Sequence, residues 1–247
     1  MDLLELGAIG GFFALRTGDG SSTGGPGGEY RPGGSDTSAT WHGLPLARLY
    51  AGADGPLAVR VDTVAVRLRA PERRVAASIA QLGLAARLWS VALGSAALYG
   101  ELPDLDPQRL HWAPDRSSPD DLRLTRLRTV PAGAGAIRDM VQYGHLAPLA
   151  DAFRRDTRIS PRLLWGNAGS ALAAAVREID RWARGAGRPE VGERAAALAA
   201  ELFGHPDLSG TVHGPGHRRT SCCLYYRAGG GLCGDCVFDR PPGAPAP

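Results

Sequence analysis

The sequence predicts an α+β fold in which a mainly helical body with a small β element precedes a C-terminal cysteine clasp. Apolar residues recur every three or four positions over four long segments, which is the period of a helix packed on one face. They alternate at two other places, as strands do. All four cysteines lie between residues 222 and 236. We therefore divide the chain into an N-terminal segment 1–40, a body 41–210, a clasp 211–238 and a tail 239–247.

The N-terminal segment and the tail are predicted to be at least partly disordered. Residues 18–40 consist mainly of Gly, Ser, Thr and Pro, and they contain too few apolar side chains to form a core. We expect the folded body to begin near Trp41.

The β element is predicted in two places. Valines at near-alternate positions, separated by charged residues, predict one or two short strands over 58–69. Alternation also occurs on both sides of the turn-forming run Pro-Asp-Arg-Ser-Ser-Pro-Asp-Asp, which predicts a hairpin. Its alternating apolar positions are Leu110, Trp112, Leu122 and Leu124.

Helices are predicted over 72–99, 137–156, 161–184 and 189–203. The first begins at Pro71-Glu72 and is followed by Pro103. Ser160 is the expected N-cap of the third helix and Pro161 its first residue, a position where the missing proline N–H costs nothing.

Composition excludes some classes of function. The net charge is +3 and the chain contains no lysine. The basic residues are spread along the chain without a helix face that combines them with aromatic residues, so we expect no nucleic-acid partner.

We expect a cytoplasmic protein without a membrane span. The N-terminus is acidic where a secretory signal carries positive charge. The longest apolar stretch, Leu82 to Leu98, is interrupted by Arg87 and is shorter than a bilayer requires.

The cysteine spacing is C-C-x9-C-x2-C, formed by Cys222, Cys223, Cys233 and Cys236. Four thiolates are the ligand set of an iron–sulfur cluster or of tetrahedral zinc. Zinc knuckles normally use two C-x2-4-C pairs, whereas here one pair is adjacent and meets a common centre only if the backbone turns sharply. We favour a cluster, and zinc or a pair of disulfides remain alternatives.

The same region resembles the FhuF-type ferric-siderophore reductases. The similar runs are Arg-Arg-Thr-Ser-Cys-Cys-Leu-Tyr-Tyr-Arg at 218–227 and Gly-Gly-Gly-Leu-Cys-Gly-Asp-Cys at 229–236. The family pattern is C-C-x10-C-x2-C, so this chain is one residue shorter, most simply around Ala228. Residues 76–112 and 160–174 are similar to the helical body of actinobacterial members. The resemblance covers about residues 70–238.

The resemblance implies that the four cysteines bind a [2Fe-2S] cluster that passes one electron to Fe(III) in an imported siderophore. The implied partners are a ferric siderophore and an external electron donor. A ferredoxin or a flavin/NAD(P)H reductase system would suit, because the chain has no P-loop pattern and no G-x-G-x-x-G run between a predicted strand and a predicted helix. A non-catalytic iron–sulfur carrier or sensor and a zinc-stabilised binding module are the alternatives.

Several residues near the cysteines are candidates for supporting roles. Arg218, Arg219 and Arg227 either raise the cluster potential, attract an anionic chelate or are ordinary surface arginines. Amides of the Gly229–Gly231 loop are candidate donors to sulfur. Tyr225 and Tyr226 are expected to pack the clasp on the body.

The remaining candidates are weaker. His213 and His217 are expected not to be ligands, because four cysteines complete the set. Trp89 and Trp165 are expected in the core, and Asn167 and Arg87 are weak candidates for a siderophore-facing surface.

Overall fold

A computed structural model describes residues 1–18, 41–52, 55–229 and 231–243. Most of the segment predicted to be disordered, residues 19–40, therefore lies outside the described residues. The residues before it belong to the core. Helix α1 (Leu3–Ala8), a 3-10 turn (Gly11–Phe13) and strand β1 (Arg16–Thr17) pack against the body, with Leu6 and Phe13 buried. The core thus begins well before residue 41.

The next elements are strand β2 (Leu44–Pro45), helix α2 (Leu46–Tyr50) and helix α3 (Pro56–Leu68). The prediction of strands over 58–69 is wrong, because α3 occupies this segment. Its buried residues are Leu57, Val61 and Val64, at helical spacing, whereas Val59 and Val66 face solvent. Burial of one helical face against α4 (Arg73–Tyr99) outweighs the strand preference of the valines.

Helix α4 is the central element of the body and confirms the helix predicted over 72–99. It packs against α1, α3, α7 (Pro161–Gly185) and α8 (Pro189–Phe203), and this explains why it is apolar on nearly all sides. By length and composition α4 passes as a membrane span, but 78 % of its most apolar window is buried inside the protein. This is the pattern of a core helix.

Two small sheets lie beside α4. The predicted hairpin is confirmed as β4 (Leu110–Trp112) and β5 (Leu122–Leu124), with Leu110 opposite Leu124. Strands β1 and β2 extend it to the order β1-β5-β4-β2, in which only the β1–β5 pairing is parallel. Strands β3 (Glu101–Pro103) and β6 (Thr129–Pro131) form a separate antiparallel pair.

The helix predicted over 137–156 is present but irregular. It starts as α5 (Ala134–Ile137), widens into a π-helix (Arg138–Leu146) and ends as α6 (Ala147–Asp156). Helices α7 and α8 match their predictions closely. Ser160 has the extended backbone of an N-cap, but its side chain makes no capping hydrogen bond and its carbonyl accepts from Leu163 and Leu164 instead.

The clasp follows α8 and contains little regular structure. Strands β7 (Val212–His213) and β8 (Arg218–Arg219) form a short antiparallel pair, and a 3-10 helix (Tyr225–Ala228) separates the two cysteine pairs. The architecture confirms the predicted α+β fold.

Candidate metal centre

All four cysteines lie in the clasp as free thiols. Cys223 is buried, whereas Cys222, Cys233 and Cys236 are partly accessible. The two pairs meet, since the sulfurs of Cys223 and Cys233 are 3.5 Å apart. The disulfide alternative is therefore not the arrangement found. Within the described ranges, no group of three or more His, Cys, Asp and Glu side chains is arranged to hold a metal ion.

The backbone turns sharply directly after the adjacent cysteines. Leu224 adopts the left-handed conformation with φ of 67°, and the 3-10 helix begins directly after it. The amide of Leu224 donates to the sulfur of Cys222 at 3.2 Å, and the amide of Phe238 donates to the sulfur of Cys236 at 3.4 Å. In each case the donor is two residues beyond the cysteine. Such N–H···S bonds suit sulfurs that carry negative charge in an iron–sulfur centre.

The thiols of Cys223 and Cys233 influence each other. The hydrogen bond between them lowers the pKa of Cys223 and raises that of Cys233. Burial raises the pKa of Cys222, and the positive charge of Arg219 partly opposes this. A cation or a cluster with iron would favour the ionised forms of such thiols.

The glycine-rich loop is described except for Gly230. Gly229 and Gly231 have φ of 76° and 78°, in the region that favours glycine. The amide of Gly229 donates to the carbonyl of Tyr226 at 3.3 Å, so this donor closes the 3-10 helix. The expected use of the loop amides toward sulfur stays a prediction for Gly231.

Helix α7 presents a flat surface to the clasp because two glycines lie on the face that the clasp contacts. A Cβ atom at Gly166 would lie 1.9 Å from the Ser221 hydroxyl, and one at Gly169 would lie 2.0 Å from that of Thr211. Ser170 on the same face bonds the carboxylate of Asp235 at 2.5 Å. These glycines let the clasp backbone approach α7 closely. Sequence reasoning missed this face, although the run Trp-Gly-Asn-Ala-Gly-Ser carried the signal.

A buried polar network joins the clasp to α4 and α7. Arg219, only 1 % exposed, donates to the side-chain oxygen of Asn167. The amide nitrogen of Asn167 donates to the carbonyl of Ser78 at 2.9 Å and to Gln81 at 3.0 Å. The hydroxyl of Ser78 donates to the carbonyl of Cys223 at 2.7 Å. The network fixes the backbone at the adjacent cysteines.

This burial corrects two expectations about the surface. Asn167 is fully buried, and so is Arg87, whose guanidinium pairs with Asp121 at 2.8 Å. Neither side chain faces a siderophore. Arg219 likewise lies behind the clasp, out of contact with solvent.

The other two arginines of the clasp are at the surface and ion-paired. Arg218 pairs with Asp239 at 2.6 Å and donates to the carbonyl of Cys236 at 2.8 Å. Arg227 pairs with Glu72 and also contacts Tyr226. Carboxylates balance the charge of both.

The remaining candidates have mainly packing roles. Trp89 is fully buried and Trp165 packs partly buried against the core. Tyr226 contacts Phe238 edge-on. His217 stacks on Phe203, with ring centroids 6.0 Å apart, and His213 is exposed in strand β7.

One side of the clasp is open. A cavity of about 400 Å³ is lined by Cys233 and Cys236 together with Arg218, Asp235 and Phe238. Helices α4 and α7 cover the opposite side through Ser78 and Asn167. Cys233 and Cys236 therefore line a cavity that a molecule from solvent can enter.

Comparison with known families adds independent information. Residues 45–213 match the family described as ferric iron reductase FhuF-like transporter. Residues 219–238, which include all four cysteines, match the FhuF 2Fe-2S C-terminal domain. No curated protein gives a significant match.

Proposed function

Since this chain belongs to the FhuF family of ferric iron reductases, we propose that it transfers one electron to Fe(III) held by a siderophore and so releases Fe(II). The observation that carries the proposal is the contact between Cys223 and Cys233, one from each pair of free cysteines, beside an open cavity and inside the segment that matches the 2Fe-2S domain. The ligands we assign to the cluster are Cys222, Cys223, Cys233 and Cys236.

The chemistry of the substrate explains why one electron is enough. Siderophore oxygens are hard donors that suit Fe(III) much better than Fe(II). A single electron therefore collapses the affinity of the chelate for its metal. When bound, a [2Fe-2S] cluster supplies a one-electron carrier, so that the reaction needs no nucleophile, general acid or general base from the chain.

Within the clasp, some groups donate hydrogen bonds to the sulfurs, and the cysteines differ in whether they face the body or the cavity. Amides of Leu224 and Phe238 stabilise negative charge on Cys222 and Cys236. Cys223 faces the body, where water is excluded. Cys233 and Cys236 line the cavity, which is the docking position we assign to the ferric chelate.

The electron must come from another protein or a soluble reductant. We propose a ferredoxin or a flavin/NAD(P)H reductase system as the donor. The sequence has no P-loop pattern, and its G-x-G-x-x-G run, at 229–234, lies in the clasp and not between a strand and a helix. We also propose the cytoplasm as the site of reaction. Free thiols fit a reducing compartment, and the one helix of the described residues that passes as a span is mostly buried.

The first test is the composition and spectrum of anaerobically purified protein. We expect iron and sulfide in equal amounts, about two of each per chain, and a spin-half resonance after dithionite reduction. Colourless protein with one zinc would overturn the proposal in favour of a zinc-stabilised module.

The second test is reduction of a panel of ferric chelates by the prereduced protein in a single turnover, with a ferrous-iron trap as the readout. Cys233→Ser is expected to abolish both the cluster signal and Fe(II) release. Ser209→Ala, at an exposed position before the clasp, serves as the control that retains both. A cluster-loaded protein that reduces none of the chelates would be an electron carrier or sensor.

A further inference from the structure

We propose that Arg219 is a positioning residue whose buried, unbalanced positive charge raises the reduction potential of the cluster in the clasp. The proposal rests on the function proposed above and adds the group that regulates its driving force. Three observations about Arg219 support the proposal. They are its position, its lack of a carboxylate partner among the described residues and an unused hydrogen-bond donor on its guanidinium.

Arg219 contacts the backbone beside both cysteine pairs. Its Nε donates to the carbonyl of Ser221, next to Cys222, at 3.1 Å. Its own amide donates at 2.9 Å to the carbonyl of Asp235, which lies between Cys233 and Cys236. The guanidinium is thereby fixed beside the first cysteine pair, and the backbone of Arg219 is fixed beside the second.

Arg219 differs from three other arginines in its lack of an ion-pair partner among the described residues. Arg87, equally buried, pairs with Asp121, and the surface arginines Arg218 and Arg227 pair with carboxylates. Over the described ranges Arg219 forms no ion pair and binds only neutral oxygens. A guanidinium stays protonated in a protein, so that its burial without a counter-ion is costly unless an anion lies nearby.

One donor of this guanidinium is also unused. Nη1 is buried and has no hydrogen-bond partner among the described residues. Unpaired buried donors are rare in native structures, and each one calls for an acceptor. The clasp is the place where additional acceptors arrive when the cluster is present, since sulfide and thiolate sulfurs accept hydrogen bonds.

The effect on the potential follows from the charges. A [2Fe-2S] centre with four thiolates carries about −2 when oxidised and about −3 when reduced. A fixed positive charge therefore stabilises the reduced form more than the oxidised one. Burial increases the difference, because little water screens the interaction.

The test is a redox titration of the cluster-loaded protein, followed by its resonance signal, with no siderophore present. Arg219→Gln removes the charge, and Asn167→Asp leaves Arg219 in place but neutralises it with a carboxylate at the position of its present partner. Both variants are expected to lower the midpoint potential, with at least a tenfold change in the equilibrium constant, equal to about 59 mV for one electron. Arg219→Lys is expected to keep most of the potential.

Arg227→Gln is the matched control, because it removes the same charge from the same clasp at an ion-paired surface position. We expect it to change the equilibrium constant by less than about threefold. Equal potentials in Arg219→Gln, Asn167→Asp and the unmodified protein would overturn the proposal, and so would an equal shift in Arg227→Gln. If Arg219→Gln does not retain the cluster, the midpoint potential of Asn167→Asp alone tests the proposal. The titration contains no siderophore, so its result does not depend on whether the protein reduces ferric chelates. The two proposals can therefore fail independently.

Discussion

Arg87 and Arg219 are both almost fully buried, and their surroundings give them different roles. Arg87 is the hub that holds the N-terminal segment on α4. Besides its ion pair with Asp121, it donates to the carbonyls of Gly11 at 3.1 Å and of Ala14 at 2.6 Å. The resemblance of its segment to the family made Arg87 a candidate for a siderophore-facing surface, but the neighbours that bury it are remote in the chain.

Loss of the Arg87 side chain is expected to destabilise the protein strongly. Arg87→Met leaves Asp121 as an unpaired buried charge and the segments 11–14 and 119–121 without their common donor, which costs about 3–5 kcal/mol. Chemical denaturation measures the change. Arg181→Met removes an exposed arginine paired with Glu178 and is expected to cost no more than about 1 kcal/mol. Similar costs for the two variants would contradict a structural role for Arg87.

His145 predicts a pH dependence of stability. It bonds the carbonyl of Leu105 at 2.6 Å and the hydroxyl of Tyr50 at 2.8 Å, and its burial lowers its pKa to about 4. The unfolded chain, with an ordinary histidine pKa near 6.5, binds a proton more readily. The contribution of His145 to the free energy of unfolding is therefore complete above about pH 6.5. It falls by about 3 kcal/mol as the pH approaches 4.

The check is urea denaturation of the protein and of His145→Gln across this range of pH. The variant has no titrating group at this position, so we expect it to lack the part of the pH dependence that His145 causes. Parallel curves for the two proteins would show that the histidine is not the group responsible.

At the scale of elements, α3 and α7 show how packing changes what a pattern means. The spacing of the valines in α3, taken alone, resembles that of a strand. Only the burial of one face against α4 identifies the segment as a helix. In α7 the apolar stripe predicts the helix correctly, but a second face, made of small and polar residues, seats the clasp. Glycines inside a helix weaken it, so their presence here indicates a requirement for close contact.

Gly166→Ala tests this seat. The added methyl group collides with Ser221, one residue before the first cysteine, so we expect faster loss of iron from the clasp and a lower stability. Gly185→Ala, at the open C-terminal end of α7, meets no atom within 4 Å and is expected to be neutral or slightly stabilising. Release of iron to a chromogenic chelator measures both. Equal release rates would contradict close docking on α7.

At the scale of the whole molecule, the body and the clasp depend on different forces. The body has a continuous core around α4. The clasp has two-residue strands, one short 3-10 helix and a few anchoring hydrogen bonds. Its order therefore depends on its docking and on what its sulfurs bind.

Removal of iron is expected to loosen the clasp and leave the body folded. Amide hydrogen exchange should become faster over 219–238, while α4 and α7 remain protected. The measurement compares the loaded protein with the same preparation after anaerobic iron chelation. Uniform loss of protection would show that clasp and body unfold together, and no change at all would show that the metal does not order the clasp.

The sequence by itself determined the chemical class of this protein and most of its helices. Four cysteines in one short segment define a thiolate donor set, and long apolar periodicities identify helices whatever their neighbours are. Only the tertiary structure decided that 58–69 is a helix, that the N-terminal residues join the core and that Arg219, of three neighbouring arginines, lies buried without a counter-ion. These outcomes depend on contacts between residues far apart in the chain, and a local pattern does not contain them.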